Sequence, residues 1–143
     1  VTIVLDGVQD PGNVGAVLRL CLGFGAALVL VESADPGSPK VIRSSVGAMF
    51  RVPWLSIKRS ELAAVLKRLD RPVYRLEKRP KAMSLNKMEV QLPMVLIAGS
   101  EGGGIVTRAK GQSVYIEHSE ALESLNVGNA VGIALHSLTK DLF

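Results

Sequence analysis

The chain has a single cysteine and no apolar run long enough to cross a membrane. Cys21 cannot form an internal disulfide and has no partner cysteine for a metal site, so we predict no metal and a reducing, cytoplasmic compartment. The longest apolar run, 20–31, is interrupted by two glycines and is shorter than the roughly 20 residues that span a bilayer. No basic and then apolar leader is visible. We therefore expect neither a membrane anchor nor a secretory signal.

The charge of the chain is unevenly distributed along it. Its 143 residues are 48% hydrophobic, which predicts one domain with a real core, and no low-complexity tract suggests disorder. The net charge is +4, yet the segment 40–87 holds 13 of the 17 basic residues and three acidic ones, so it carries +10 and the remainder −6. This segregation is typical of a surface that binds a polyanion such as nucleic acid; the alternative is a basic surface in contact with solvent alone.

Apolar strand-like runs alternate with helical patterns, which predicts an α/β domain with a mostly parallel sheet. Strands are expected at 2–5, 27–31, 52–57, 73–77, 94–98 and 113–116. Helices are expected at 13–24, 41–50, 60–69 and from about 126 almost to the end, with Asn13 and Ser60 as caps of the first and third. Gly128 and Gly132, four apart on the last helix, permit close approach by another element such as a partner subunit.

Three polar, glycine-bearing segments lie where a strand ends or a helix begins. The first places Asn13, Gly15 and Arg19 in N-x-G-x-x-x-R spacing, and a lone charge such as Arg19 in an apolar helix is costly unless it is paired, used or exposed. The second, Gly99-Ser-Glu-Gly-Gly-Gly104, follows a buried strand. Glycines there either let the backbone approach a ligand closely or form a plain tight turn.

The third segment, Glu123-Ser-Leu-Asn-Val-Gly-Asn-Ala-Val131, opens the last helix. Ser124, Asn126 and Asn129 crowd into its first residues, whereas a helix that only covers a core needs one capping residue. A surplus of hydrogen-bonding groups at a helix start is typical of a ligand site.

Together, in this order and spacing, these segments resemble the three motifs of the SpoU (TrmH) family of RNA ribose 2′-O-methyltransferases, in the SPOUT superfamily. Residues 5–15 are close to the first motif, 40–50 look like the intermediate helix, 99–102 match the second motif and 123–127 the third, so the likeness covers essentially the whole chain. The resemblance implies an α/β fold of SPOUT type, with a parallel sheet flanked by helices and a C-terminal trefoil knot. It also implies one catalytic domain over 1–143 that forms a homodimer, and leaves room for an upstream RNA-binding domain.

By motif position, the resemblance assigns residues to S-adenosyl-L-methionine and to the reacting end. The cofactor would be held by Gly99, Ser100, Ile116, Leu125 and Val127. The reacting end would consist of Asn13, Arg19, Glu101, Ser124 and Asn126. Arg19 is the family's proposed base, but a guanidinium ordinarily stays protonated. Our hypothesis is therefore that Arg19 binds the phosphate beside the target ribose and stabilises the developing alkoxide; both roles stay open.

The chain departs from the family pattern after its last strand. Ile116-Glu117-His118 stands where Ile-Pro-Met is usual, and Gly128 stands where Ser is common. Glu117 then faces either the cofactor's amino group or solvent, and His118 is either structural or a catalytic helper.

The first rival function is a non-catalytic, dimeric RNA-binding member. The second is a nucleotide- or dinucleotide-using α/β enzyme, which the lack of a glycine fingerprint after the first strand disfavours. Ribosomal RNA is favoured over transfer RNA, because the first motif looks more like the ribosomal branch.

Overall fold

The computed structural model describes all residues, 1–143, and contains seven β-strands and four α-helices. The strands are β1 (Thr2–Asp6), β2 (Ala27–Val31), β3 (Trp54–Ile57), β4 (Val73–Leu76), β5 (Met83–Ser84), β6 (Val95–Gly99) and β7 (Gln112–Tyr115). The helices are α1 (Pro11–Phe24), α2 (Pro39–Ser45), α3 (Leu62–Leu69) and α4 (Val127–Thr139). None of these helices combines the length and the apolar character that crossing a membrane requires.

All seven strands form one parallel sheet, in the order β3-β2-β1-β6-β4-β7-β5. The central strand is β6, and β1 lies beside it, pairing Thr2 with Ala27 of β2 on one side and with Val95 of β6 on the other. These central strands are nearly continuous apolar runs because both faces of the sheet are covered. The prediction of a parallel α/β sheet flanked by helices is thus confirmed. Successive strands are added on opposite sides of the β1–β6 pair, and ligands bind at the carboxyl edge of such a junction.

Two apolar layers cover the sheet. Helices α1, α2 and α4 pack on one face around residues such as Leu18 and Leu135, and α3 packs on the other face together with Ile105 and Ala109. Cys21 lies in the first layer, where burial raises the pKa of its thiol to about 12. The thiol therefore stays protonated at neutral pH.

The two glycines of α4 pack against α1 of the same chain. A Cβ at Gly132 would lie 3.3 Å from a methyl carbon of Leu20, and one at Gly128 would lie 3.6 Å from Cβ of Ala16. The predicted close approach by another element is therefore confirmed, and that element is α1 of the same chain rather than the partner subunit offered as an example.

The start of α1 differs from the prediction. Asp10 is the N-cap, and its carboxylate accepts hydrogen bonds from the backbone N–H of Gly12 at 2.8 Å and of Asn13 at 3.4 Å. The prediction that Asn13 caps this helix was wrong because Pro11 occupies the first helical position, which makes the residue before it the cap. Asn13 lies in the first turn, and its side chain is free for another contact.

Two other helix bounds also differ. The predicted helix 41–50 is interrupted, because Val46 and Gly47 adopt positive φ values of 50° and 84° and separate α2 from a short 3-10 turn at 48–50. Ser60 does not cap α3. It lies in a 3-10 turn at 59–61, and the residue before this turn, Lys58, donates its backbone N–H to the Glu61 carboxylate at 3.0 Å.

Candidate functional site

A cavity of about 410 Å³ opens where β4, β6 and β7 end. This volume lies in the range of roughly 300–1,000 Å³ that is usual for ligand pockets. Its walls come from the ends of these strands, from the loop after β6 and from the segment before α4. Seven of the ten predicted site residues line it: Gly99, Ser100, Glu101, Ile116, Ser124, Leu125 and Val127.

The loop after β6 folds back tightly on the strand end. A Cβ at Gly99 would lie only 2.2 Å from the backbone carbon and oxygen of Gly104, so no side chain fits there. The N–H of Gly104 donates to the Ser100 carbonyl at 2.9 Å, and the N–H of Gly103 donates to Ser100 Oγ at 3.1 Å. Glycine at these positions therefore exposes backbone rather than side chains to the cavity.

The side chain of Asn126 joins the three predicted motifs. Its Oδ1 accepts from the backbone N–H of Asn129 at 3.1 Å and caps α4. Its Nδ2 donates to Asn13 Oδ1 at 3.0 Å and to Glu101 Oε1 at 2.8 Å. We call Asn13, Glu101 and Asn126 the polar cluster. Asn129 itself contributes only its backbone N–H to this arrangement.

Arg19 lies outside this arrangement. It is exposed on α1, neither lines the cavity nor belongs to the polar cluster, and makes no hydrogen bond or ion pair. Ser124 lines the cavity but likewise makes no side-chain hydrogen bond. Within one chain the structure therefore brings together Asn13, Glu101 and Asn126, and leaves the Arg19 guanidinium available to a ligand.

A buried carboxylate behind the cavity was missed by the sequence analysis. Asp6 is fully buried; its Oδ1 accepts from Arg59 Nη2 at 2.6 Å and Nε at 3.1 Å. Its Oδ2 accepts from the backbone N–H groups of Val106 at 2.7 Å and Thr107 at 2.6 Å. The hydrogen bond to Asp6 raises the pKa of Arg59 above its ordinary value. We call this arrangement the Asp6 anchor; it fixes the residues that follow Ile105, a cavity residue.

An ion-pair network stands at the end of β4. Glu77 accepts from Arg75 Nε at 2.8 Å and from Ser113 Oγ at 2.7 Å, and Arg79 Nε lies 3.3 Å away. Burial alone would raise the pKa of Glu77, but these hydrogen bonds and the charges of Arg75 and Arg79 outweigh it and lower the pKa. Glu77 is therefore ionised at neutral pH and balances part of the surrounding positive charge.

The unusual residues after β7 have different surroundings. Glu117 is exposed and does not line the cavity. His118 lines the cavity, and its Nδ1 donates to the Ile116 carbonyl at 2.9 Å. No group of His, Cys, Asp and Glu side chains is arranged to hold a metal ion.

The fold and the cavity define an α/β protein with a cavity at the carboxyl edge of a parallel sheet. The model of the SpoU rRNA Methylase family matches residues 1–136, and the chain belongs to this family. The resemblance predicted from the motifs is therefore confirmed.

Curated relatives carry related names. The chain is 34% identical over 141 residues to an uncharacterized tRNA/rRNA methyltransferase of Synechocystis sp., covering 94% of this chain and 51% of the relative. It is 35% identical over 142 residues to the 23S rRNA (adenosine(1067)-2′-O)-methyltransferase of Streptomyces laurentii, covering 94% and 52%. The chain thus spans about half the length of these relatives.

Solved structures share the fold. An AdoMet-bound rRNA methyltransferase from Sinorhizobium meliloti superposes with a TM-score of 0.89 at 28% identity, covering 99% of this chain and 56% of that one. A protein solved in connection with the 2-OH methylation of C/U34 on tRNA superposes with a TM-score of 0.88 at 25% identity, covering 99% and 95%.

Proposed function

We propose that this chain is the single catalytic domain of an enzyme that methylates a ribose 2′-hydroxyl of RNA with S-adenosyl-L-methionine. The observation that carries the proposal is the position of Asn126, which caps α4 and bonds to both Asn13 and Glu101 beside the cavity. Three motifs far apart in the chain thus meet where a cofactor pocket and a reacting end are expected. Membership of the SpoU rRNA Methylase family supports the same reaction.

The cavity residues fit this cofactor. The tight turn at Gly99 presents backbone hydrogen-bonding groups, and Ile116, Leu125 and Val127 supply apolar surface for a flat purine ring. Ser100 adds one hydroxyl to the same wall. When bound, S-adenosyl-L-methionine supplies an electrophilic methyl group on a sulfonium.

The polar cluster is suited to orienting the reacting groups. The hydrogen bonds from Asn126 hold one oxygen each of Asn13 and Glu101, and leave Asn13 Nδ2 and Glu101 Oε2 without protein partners. These free groups can accept from or donate to a ribose hydroxyl, and fixed orientation supplies much of the acceleration in a displacement. We assign Ser124 to the same end, and Arg19 to the phosphate beside the target ribose, where its charge stabilises the developing alkoxide.

The variant Asn126→Asp tests this assignment. It keeps the side-chain oxygen that caps α4, loses both N–H donors and sets a second carboxylate beside Glu101. We expect methyl transfer from labelled S-adenosyl-L-methionine to unmodified RNA to fall by about 100-fold or more, with the melting temperature nearly unchanged. The matched control is Asn129→Asp, an exposed side chain with no hydrogen bond, which should retain full activity.

Calorimetry with S-adenosylhomocysteine completes the test. The wild-type protein should bind it, and absence of binding would contradict the proposed function as a whole. Binding without methylation of any RNA would indicate a non-catalytic RNA-binding member instead. Full activity in Asn126→Asp would show that the polar cluster is not the reacting end.

Several finer features are part of the same proposal. We propose ribosomal RNA as the substrate, supported by relatives named 23S rRNA methyltransferases, and both ribosomal and transfer RNA belong in the assay.

We also propose the C-terminal trefoil knot and the homodimer of the family, with the enzyme in the cytoplasm. The exposed Ile133 on α4, 46% accessible, supports an interface on that helix, and light scattering would give the mass in solution.

A further inference from the structure

A second depression, of about 430 Å³, lies beside the cavity and shares Glu77, Arg79 and Ile105 with it. It is formed by the end of β4, the segment 105–111 and Ser113. Its charged residues are one carboxylate, Glu77, and four cations: Arg75, Arg79, Arg108 and Lys110. We call this depression the basic groove. Arg108 and Lys110 lie outside the basic segment 40–87, so the charge pattern of the sequence did not point to them.

The four cations of the basic groove are not equally available. Arg75 is largely buried. Its guanidinium pairs with Glu77 and donates hydrogen bonds to the carbonyls of Thr107 and Ala109, at 2.9 and 2.7 Å. Arg79 is 61% exposed and is paired loosely with Glu77. Arg108 and Lys110 are exposed and make no hydrogen bond or ion pair. Their charges are therefore uncompensated within the protein.

The backbone that carries Arg108 and Lys110 is held in place although it has no regular secondary structure. The Asp6 anchor binds the N–H groups of Val106 and Thr107, and Arg75 binds the carbonyls on the other side. A Cβ at Gly111 would lie 2.7 Å from the Val73 carbonyl oxygen, which marks a further close contact with β4. A segment fixed before binding loses little further conformational entropy when a ligand arrives.

Acidic side chains occupy another part of the cavity rim. Glu117, Glu120 and Glu123 are all exposed in the segment between β7 and α4, and Glu123 lines the cavity. A polyanion that approaches the cavity is repelled there and attracted by the basic groove. The charges thus favour one path toward the cavity for a phosphate chain.

We propose that the basic groove binds the sugar–phosphate backbone of the substrate RNA and leads it to the cavity. This inference rests on the proposed function and adds the surface on which the RNA lies. Arg108 is the stronger phosphate ligand, because a guanidinium donates two parallel hydrogen bonds, and Lys110 acts as a point charge.

The double variant Arg108→Ala/Lys110→Ala tests the groove. Binding of unmodified 23S ribosomal RNA transcript and of unmodified transfer RNA is measured by fluorescence anisotropy over a range of salt concentrations, and KM for RNA is measured at saturating cofactor. We expect the Kd and KM for RNA to rise by about 5- to 20-fold, and the slope of log Kd against log salt to fall by about one to two. Affinity for S-adenosylhomocysteine should change less than about twofold, since neither residue lines the cavity. The charge-preserving Arg108→Lys/Lys110→Arg should restore most of the RNA affinity.

A matched control removes the same charge elsewhere. Lys67→Ala/Arg68→Ala changes two exposed residues in the last turn of α3, which do not line the basic groove, and should leave Kd for RNA within about twofold. An unchanged Kd in the groove variant, or an equal loss in both variants, overturns the proposal. A wild-type protein that binds cofactor but no RNA overturns it as well. If the wild type binds RNA without methylating it, the proposed function fails, while the two variants still decide whether the groove is the binding surface.

Discussion

At the scale of single residues, glycine is needed at position 15 for helix packing and not for ligand binding. A Cβ at Gly15 would lie 1.8 Å from Ser44 Oγ, because α2 crosses α1 at this point. Ser44 in turn donates to the carbonyl of Pro11 at 3.1 Å, so it cannot turn aside without losing this bond. The glycine of the first motif therefore lets α2 support the start of α1, from which Asn13 projects.

Replacing Gly15 and Gly23 by alanine should have opposite effects on stability. Gly15→Ala forces a methyl group into Ser44 and should lower the free energy of unfolding by about 1–3 kcal/mol. Gly23 lies in the same helix with nothing within 4 Å of its would-be Cβ, so Gly23→Ala should raise the free energy of unfolding by about 0.5–1 kcal/mol. Urea unfolding followed by circular dichroism measures both. Equal effects in the two variants would show that helix propensity, and not the contact with Ser44, decides.

Residue types were easier to predict than residue partners. The spacing of Asn13, Glu101 and Asn126 was enough to select them, because their motifs are recognisable in the sequence. The sequence did not predict that Asn126 serves both as a helix cap and as a donor to two other motifs. Asn13 and Asn126 are 113 positions apart in the chain, and only the fold brings them together. Asp10, by contrast, was predictable as the cap from the proline that follows it.

At the scale of secondary-structure elements, the Asp6 anchor joins the end of β1 to two distant segments. Asp6→Asn replaces the carboxylate by an amide with one acceptor oxygen, which cannot serve both Arg59 and the two backbone N–H groups. We expect the free energy of unfolding to fall by about 2–4 kcal/mol. KM for the cofactor should rise more than kcat falls, because Ile105 borders the cavity while the polar cluster keeps its own hydrogen bonds.

Glu32→Gln is the control for this variant. Glu32 also contacts Arg59, at 3.4 Å, but it is half exposed, and exposed ion pairs contribute less than about 1 kcal/mol. Denaturant unfolding and steady-state kinetics of the two variants measure both effects. An Asp6→Asn variant as stable as Glu32→Gln would show that the anchor does not hold the segment after Ile105.

Element boundaries were predicted well where hydrophobic runs are long and poorly where they are short. The central strands β1, β2 and β6 lie within a residue of their expected ranges, since burial on both faces requires uninterrupted apolar residues. The two-residue strand β5 was missed because it is too short to produce a pattern. The break in the predicted helix 41–50 was also missed, because Val46 is a residue type that rarely adopts positive φ.

At the scale of the whole molecule, residues far apart in sequence meet throughout the fold. Thr2 pairs with Val95, Asp6 bonds to Thr107, and Asn13 bonds to Asn126. No sequence pattern revealed that β6 inserts between β1 and β4. For the same reason the sequence could not indicate that Arg108 and Lys110 join Arg75 and Arg79 in one groove.

Such long-range contacts should make folding slow, because loops must close before the contacts form. Trp54 is the single tryptophan and is 37% exposed on β3, so its fluorescence follows assembly of that edge of the sheet. We expect refolding from urea on the order of seconds in stopped-flow measurements, including after a brief unfolding pulse that leaves the prolines unchanged. Complete recovery within about 10 ms would contradict the expected effect of topology.

The buried Cys21 makes this chain a convenient host for spectroscopic labels. Its thiol is 1% exposed and stays protonated up to a pKa of about 12, so maleimide reagents at neutral pH have almost no thiolate to attack in the folded protein. A cysteine introduced at Gly102, which is exposed and has nothing within 4 Å of its would-be Cβ, is then the single reactive site, without removal of the native one. A fluorophore or spin label at the rim of the cavity can thus report ligand binding while Cys21 and the core around it stay unchanged.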